Sequence, residues 1–327
     1  KPQTISPAAE FDTERFIRGT QRKIQQHKIH RLVWQSASVA AVFMIVLFSV
    51  LFTRENRPPE SSVVNDVPVA GKTQAVLSLP DGRQVALGNE KEQDTAWMKY
   101  VEACTIESKA TTEPADIKIE VARGGEYKIR LEDGTTVWLN SESSLIYPEK
   151  FTGDKRAVRL SGEGYFEVAR DEKKPFIVSV TDMEIKVLGT KFNVTAYQDE
   201  KMTTTTLISG AVEVVTPHRS VQLQPGKQAM VQEGGDDITV LEVDVELATS
   251  WTAGIFKFDK MALTDICTRL SRWYDIDFVF EGETGKEKFT GGTWKYVPLK
   301  DFLSKIERVT NVLFLFENNT VKVVPKK

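Results

Sequence analysis

A chain of 327 residues is long enough for two domains of ordinary size, and 41% hydrophobic residues can form a core. A formal net charge of −3 excludes the basic excess typical of nucleic-acid-binding proteins, and two cysteines with three histidines exclude zinc fingers, iron–sulfur proteins and disulfide-scaffolded mini-domains. The mean hydropathy of −0.28 is that of a soluble chain, but it averages over one strongly apolar segment.

That segment, Leu32–Phe52, predicts a single membrane-spanning helix. It holds 21 consecutive residues without an acidic or basic side chain. At about 1.5 Å per residue, this length matches the roughly 30 Å hydrocarbon core of a bilayer. A signal peptide is the alternative, but its apolar region is shorter, about 7 to 15 residues, and no small-residue cleavage pattern follows here. We therefore expect a retained anchor.

The charges on the two sides of this segment predict its orientation. Residues 1–31 carry a net charge of +4 and the rest of the chain carries −7, and Lys and Arg beside a span favour the cytoplasmic side. We expect residues 1–31 in the cytoplasm, an extended linker over 53–72, and the bulk of the protein across the membrane. Because residue 1 is lysine, a further cytoplasmic portion is expected to precede it.

From residue 73 the apolar period becomes two, which predicts an all-β unit over 73–248. Ala75–Gly88 and Tyr127–Asn140 each read as strand, Asp-Gly turn, strand, at a spacing of 52 residues. A second internal echo links Leu160–Val168 with Ile208–Val215, each with a turn at Ser-Gly. These echoes favour a β-solenoid of stacked hairpins, and a sandwich remains the alternative. Further strands are predicted at Phe176–Val180, Glu184–Leu188, Phe192–Tyr197, Ser220–Leu223 and Gln228–Val231, and Asn89–Gly125 is interpreted as an insertion.

The tail, over 250–327, predicts a small α+β domain with the order βαββαββ. Leu263, Ile266, Leu270 and Trp273 recur on one helical face, and Pro298 stands where a second helix begins. Strands are predicted at Gly254–Phe258, Asp277–Phe280, Lys288–Trp294, Leu313–Phe316 and Val321–Val324. Such a domain has open sheet edges, which suit pairing with a strand of another protein.

Few residues beyond the span carry catalytic or metal-binding chemistry. His218 is the one histidine there, in the loop sequence Thr216–Arg219, and is interpreted as a solvated loop residue. Cys104 and Cys267 lie in different units and are expected to be unpaired, although an oxidising compartment would allow a disulfide. We predict no cofactor and no metal site.

The peptide bond between Gly189 and Thr190 is the place in the sequence where a chemical reaction is most clearly possible. A threonine hydroxyl follows an unhindered glycine carbonyl, so attack of oxygen on that carbonyl could convert the amide into an ester that water then opens. The alternative is a glycine at a strand bend followed by a threonine in the sheet. A second set of residues, Trp138, Tyr147, Phe151, Tyr165 and Phe166, could line a carbohydrate-binding surface, although core packing is the default for aromatic residues at alternating positions.

Four blocks of the β unit and the tail together resemble the FecR family of transmembrane anti-sigma factors. The blocks are Arg123–Phe151, Arg156–Val180, Val187–Tyr197 and Thr206–Val214. The tail, with Arg269–Phe280, is similar to the secretin/TonB short N-terminal-like domain that ends such proteins. The resemblance covers nearly all of residues 73–327.

The resemblance implies an inner-membrane regulator and not an enzyme. It would hold an extracytoplasmic-function sigma factor on the cytoplasmic side, and its periplasmic part would read the N-terminal signalling domain of a TonB-dependent outer-membrane transporter. The family's self-cleavage site would map onto Gly189 and Thr190. Because 31 residues before the span are short for the family's anti-sigma region, the sigma-binding residues are expected before Lys1. A membrane-anchored glycan-binding module and a membrane-bound hydrolase are the alternatives.

Overall fold

A computed structural model describes residues 70–88, 116–181 and 183–326, which lie in one compact unit, Asn65–Lys327. The predicted cytoplasmic segment 1–31 and the predicted span Leu32–Phe52 lie outside the described residues. Among the helices of the described residues, none is long and apolar enough to cross a membrane. The described part is mainly β, with a few short helices near its C-terminal end.

The β unit is built from short strands joined by tight turns. Its strands are β1 (Lys72–Thr73), β2 (Ala75–Ser78), β3 (Gln84–Leu87), β4 (Asp116–Val121), β5 (Gly125–Arg130), β6 (Thr136–Leu139), β7 (Ser143–Pro148), β8 (Arg156–Glu167), β9 (Phe176–Val180), β10 (Met183–Val187), β11 (Lys191–Ala196), β12 (Met202–Ser209), β13 (Val212–Val215), β14 (Ser220–Leu223), β15 (Lys227–Gln232) and β16 (Ile238–Glu242).

These strands form two sheets that share β8. The first sheet has the order β3-β2-β4-β7-β8-β9-β10-β13-β14, and the second has the order β1-β5-β6-β8-β11-β12-β15-β16. The first half of β8 pairs with β7 and β9, and its second half pairs with β6 and β11. The chain changes sheets at Gly162, whose φ is 92°. A residue without a side chain tolerates this left-handed conformation best.

One hydrophobic core lies between the two sheets. Alternate residues of the strands point into it, such as Leu145 and Val158 from the first sheet and Val137 and Phe192 from the second. The rings of Phe166 and Phe192 stack at the centre with centroids 5.0 Å apart. The strand pairing is thus that of two sheets around a common core, as in the sandwich that the sequence left as the alternative. It does not show the solenoid of stacked hairpins that the internal echoes favoured.

One of the two sequence echoes is a pair of matching hairpins, and the other is a pair of crossings between the sheets. Both Asp-Gly steps are hairpin turns, and Gly82 and Gly134 each have a φ of 85°. In the registers, Ala75 faces Leu87 and Tyr127 faces Leu139, so the two hairpins match residue for residue. The Ser-Gly steps, which were predicted to be turns, do not close hairpins. They are the places where the chain passes from one sheet to the other, within β8 and between β12 and β13.

Two segment assignments made from the sequence need correction. The predicted insertion 89–125 contains β4 and the start of β5. The buried residues of β4, Ile117, Ile119 and Val121, alternate as a strand requires. The rest of this insertion, 89–115, lies outside the described residues. The predicted linker 53–72 reaches into β1, where Lys72 pairs in parallel with Gly125.

The C-terminal domain follows the predicted order βαββαββ. A short helix α1 (Val245–Thr249) and a 3-10 turn (Ser250–Ala253) lead into β17 (Ile255–Ala262), α2 (Leu263–Tyr274), β18 (Asp277–Phe280), a 3-10 turn (Thr284–Lys286), β19 (Lys288–Trp294), α3 (Leu299–Val309), β20 (Val312–Glu317) and β21 (Thr320–Pro325). Strands β17 and β19 form a ribbon, and the remaining strands form a sheet with the order β18-β21-β20.

Helices α2 and α3 cover these two small sheets and enclose a second core. The four residues that predicted the buried face of α2 are all at most 1% exposed. The ring of Phe258 lies 6.0 Å from that of Phe302, between the ribbon and α3. Helix α3 begins directly after Pro298, a position that proline tolerates because the first helical N–H groups need no partner within the helix.

Candidate functional site

The Gly189-Thr190 step lies at a crossing between the two sheets. Strand β10 belongs to the first sheet and β11 to the second, so the chain changes sheets at this peptide. The carbonyl of Leu188 accepts a hydrogen bond from the N–H of Asp171 at 2.8 Å, and that of Thr190 accepts one from the N–H of Val168 at 3.0 Å. Backbone hydrogen bonds therefore hold the residues on both sides of the Gly189 carbonyl.

The return crossing, between β12 and β13, packs directly against this step. Thr190 is 4% exposed, and its Oγ1 donates a hydrogen bond to the carbonyl of Ala211 at 2.9 Å. Gly210 has a φ of 94°. A Cβ at that position would lie 2.8 Å from Thr190 Oγ1 and 3.0 Å from the carbonyl oxygen of Gly189. The threonine hydroxyl is thus held between two crossings of the chain.

A groove of about 580 Å³ opens beside this step. The side chain of Leu188 at the groove is 46% exposed. The groove is also lined by four charged residues, Arg170, Glu172, Lys186 and Glu213. Solvent can reach the neighbourhood of the Gly189 carbonyl from this side. In the arrangement observed, the Thr190 hydroxyl points to another carbonyl, so attack on Gly189 first requires that hydrogen bond to break.

The remaining candidates for catalysis or metal binding lie apart from this step. His218 is exposed in the loop between β13 and β14, with Nε2 3.7 Å from a carboxylate oxygen of Asp236. Cys267 is a free cysteine buried in α2, where burial raises the pKa of its thiol far above the ordinary value. Cys104 lies outside the described residues. The described residues contain no group of three or more His, Cys, Asp or Glu that could hold a metal ion.

The five candidate aromatic residues for a carbohydrate surface divide into two groups. Tyr147, Phe151 and Phe166 are buried in the core of the β unit. Trp138 and Tyr165 lie side by side on the outer face of the second sheet, where their rings meet edge to face at 5.3 Å. Core packing thus accounts for most of the set, and the exposed face offers one aromatic pair.

A cluster that the sequence did not predict lies where the C-terminal domain meets the β unit. Arg272 in the last turn of α2 is buried, and its guanidinium contacts three carboxylates of the β unit: Glu142 at 3.2 Å, Asp199 at 2.6 Å and Glu200 at 2.6 Å. The same group lies 3.6 Å from the ring centroid of Tyr197. Burial raises the pKa of the Glu200 carboxyl, and the charge of Arg272 opposes this rise.

A second buried cation completes the junction. Lys295 follows β19 and is 0% exposed. Its Nζ contacts Glu126 of β5 at 2.7 Å and lies 3.8 Å from the ring centroid of Trp273. Burial lowers the pKa of this lysine, and the charge of Glu126 works in the opposite direction. An unpaired charge here would be costly, so the ion pair ties the two domains together.

Arg123 and Trp251 extend the junction. Arg123, in the turn between β4 and β5, donates to the carbonyl of Ile276 at 2.8 Å and to the carboxylate of Asp277 at 3.0 Å. The indole N–H of Trp251 donates to the side-chain oxygen of Asn193 in β11 at 3.1 Å. The partners in these pairs are far apart in the sequence. No local spacing could have indicated them, although Trp and Arg are typical of buried contacts between domains.

Comparison with known proteins places both domains in one family. A family model described as "FecR protein" matches residues 117–213, and a model described as "FecR, C-terminal" matches residues 255–323. No curated protein sequence matches the chain.

Two solved structures match about two thirds of this chain. A crystal structure at 1.65 Å resolution of a proposed anti-sigma factor from Parabacteroides distasonis ATCC 8503 is 30% identical, with a TM-score of 0.60. The match covers 64% of this chain and 99% of that one. A crystal structure at 2.50 Å resolution, also of a proposed anti-sigma factor from that organism, gives the same identity and TM-score and covers 65% and 100%. With both domain models matched and nearly the whole of these relatives covered, the chain belongs to the FecR family of anti-sigma factors.

Proposed function

We propose that this anti-sigma factor is a single-pass inner-membrane protein that relays the state of a TonB-dependent outer-membrane transporter to an extracytoplasmic-function sigma factor. Residues 1–31 lie in the cytoplasm, on the side where the sigma factor is held. Residues 32–52 span the membrane, and residues 53–72 lead into the periplasmic domains 73–248 and 250–327. The apolar segment and the charge difference across it support this topology.

The observation that carries the proposal is the open edge of the C-terminal sheet. Strand β20 is the last strand in the order β18-β21-β20. Its outward side chains Leu313 and Leu315 are 37% and 47% exposed, and Val279 on β18 is 49% exposed. Leu315 and Val279 both pair with Lys322 of β21, so they lie on one face of the sheet. An edge with apolar side chains on one face suits a partner that adds a strand.

This edge lies on a domain that is fixed to the β unit. The Arg272 and Lys295 clusters attach the C-terminal domain to the β unit through buried ion pairs. A protein bound at β20 would therefore act on both domains. This arrangement supports a relay more directly than it supports a glycan-binding module.

We further propose that scission at Gly189-Thr190 is a step in signalling. Oγ of Thr190 adds to the carbonyl carbon of Gly189, and the carbon–nitrogen bond breaks as the hydroxyl proton moves to the nitrogen. Water then hydrolyses the resulting ester, which leaves a carboxylate on Gly189 and restores the hydroxyl of Thr190. The closely packed crossing and the adjacent groove support the proposal. The reaction acts on the chain itself, and the proposal includes no other enzymatic activity and no cofactor.

Affinity purification of the full chain from membranes of its native cells tests the proposed function. Mass spectrometry should identify a sigma factor and a TonB-dependent transporter among the captured proteins. Protease added to intact spheroplasts should digest the region after residue 52 and spare residues 1–31. Recovery of the chain in the soluble fraction, or capture of neither partner, would contradict the proposal.

A further inference from the structure

The hairpin formed by β11 and β12 joins the domain junction to the Gly189-Thr190 step. Its tip, residues 197–201, connects the two strands. At its base, Thr190 precedes β11, and Gly210 follows β12. We propose that the C-terminal domain clamps this hairpin through Arg272, and that release of the clamp at the tip loosens the Gly189-Thr190 peptide at the base. The inference rests on the proposed function for the role of that peptide, but the coupling itself does not need scission.

The clamp holds the tip by charge and by stacking. Arg272 contacts Asp199 and Glu200 within the tip at 2.6 Å each, and its guanidinium lies over Tyr197 at 3.6 Å. The side chain of Arg272 is only 5% exposed, so water replaces these contacts poorly. Because a guanidinium has a planar fork of donors, it can bind two carboxylates at once, which lysine cannot do in the same geometry.

Contacts from the same domain continue along the hairpin. Trp251, in the 3-10 turn before β17, donates to Asn193 in the middle of β11. Asn193 in turn donates to Glu163 of β8 at 3.0 Å. The C-terminal domain and the segment that leads into it therefore contact the hairpin at its middle as well as at its tip.

The strand pairing of the hairpin is irregular at its base. The pairing of β11 with β12 is regular from Phe192 to Thr195 but shifts between Lys191 and Phe192. An irregular ladder has fewer regular backbone hydrogen bonds to break. Beyond the shift, the hydrogen bond from Thr190 to Ala211 spans the two crossings. Loss of the clamp should therefore increase local opening at this irregular end of the β11–β12 pairing. There the hydroxyl of Thr190 must break its hydrogen bond to Ala211 before it can turn to Gly189.

Hydrogen exchange of the full chain in detergent, analysed by mass spectrometry of full-length material, tests the inference. In Arg272→Ala, peptides covering the tip, 196–202, and the base, 186–193 and 207–214, should exchange about tenfold faster than in the wild type. Peptides from β3 and β4 should keep the wild-type rate. Faster exchange at the tip with an unchanged base would overturn the inference.

Arg123→Ala is the matched control. It removes an arginine from the same domain junction, but Arg123 contacts the end of α2 and the segment after it, at Ser271, Ile276 and Asp277, and not the hairpin. Its base peptides should exchange at the wild-type rate. If Arg123→Ala accelerates the base as much as Arg272→Ala does, general separation of the domains explains the effect and the inference fails.

Asp199→Asn provides a milder test in case Arg272→Ala does not fold. It neutralises one carboxylate of the clamp while keeping the shape of the side chain, and should accelerate tip and base together by a smaller factor. An accelerated tip with a wild-type base would again contradict the coupling. Because the readout needs neither a transporter nor scission, failure of the proposed function and failure of this inference give different results.

Discussion

The guanidinium of Arg272 lies 3.6 Å from the ring centroid of Tyr197, although the two residues belong to different domains. Stacking of this kind, together with the ion pairs to Glu142, Asp199 and Glu200, makes Arg272 the centre of the junction. Arg272 therefore joins the C-terminal domain directly to the β unit.

Arg272→Ala should destabilise the folded unit formed by residues 65–327. The carboxylate partners are partly exposed, so we expect a loss of roughly 2 kcal/mol in the free energy of unfolding, between the values of surface and buried pairs. Urea unfolding of residues 65–327, followed by tryptophan fluorescence, measures it. Arg170→Ala is the control, because Arg170 pairs with Glu172 on the surface and both side chains are mostly exposed. An equal effect of the two variants would contradict the role of the junction.

Gly210→Ala should cost more than the same change at Gly226. Both glycines have a positive φ, 94° and 84°, and the left-handed conformation costs alanine about 1–2 kcal/mol. A Cβ at Gly210 also meets Thr190 Oγ1 at 2.8 Å, whereas nothing lies within 4 Å of one at Gly226. We expect a further loss of about 1 kcal/mol or more in unfolding free energy for Gly210→Ala. Equal losses would show that the base of the hairpin is not tightly packed.

Thr190→Ala should abolish scission of the chain. Without the hydroxyl there is no nucleophile for the Gly189 carbonyl, so denaturing gels should show the variant at full mass and the wild type partly cut into two fragments. Thr190→Ser retains the hydroxyl and should still be cut. Intact chains in all three proteins, or identical cutting in all three, would exclude self-cleavage at this step.

The free energy of unfolding of Glu200→Gln should rise relative to that of the wild type as pH rises from 4 to 7. Because burial raises the pKa of the Glu200 carboxyl above its ordinary 4.5 in the folded protein, the folded state binds the proton more tightly than the unfolded state. Stability associated with this proton is present at low pH and is lost as pH rises through the folded-state pKa. Glutamine has no such loss. Urea unfolding across this range measures the difference, and a cost of Glu200→Gln that grows with pH would show that Arg272 outweighs burial.

The sequence predicted those parts of the fold that depend on local periodicity. The buried face of α2 and the two Asp-Gly hairpins follow from side-chain spacing and turn chemistry alone. Strand β4 was missed because its alternation lies beside a segment of ambiguous pattern. The sharing of β8 between two sheets was also missed, because Gly162 changes the direction of a strand without interrupting its alternation.

The candidate site could be predicted only in part. Gly189 and Thr190 were found because the chemistry needs adjacent residues. Arg272 and Lys295 were not, because Lys295 pairs with Glu126 and Arg272 with Glu200, which are distant in the sequence. Each of these two cations also lies beside apolar residues, and the burial of those residues alone accounts for the local sequence pattern. Their roles depend on how the two domains pack, which local spacing does not encode.

Titration of the full chain with the purified signalling domain of the TonB-dependent transporter encoded nearest to it tests the central claim most directly. Leu315→Arg places a charge on the open β20 edge and should abolish binding measured by calorimetry. Val309→Arg, at a residue of α3 that is 70% exposed, is the matched control and should bind like the wild type. Binding of Leu315→Arg with wild-type affinity, or no binding by the wild type itself, would contradict the account.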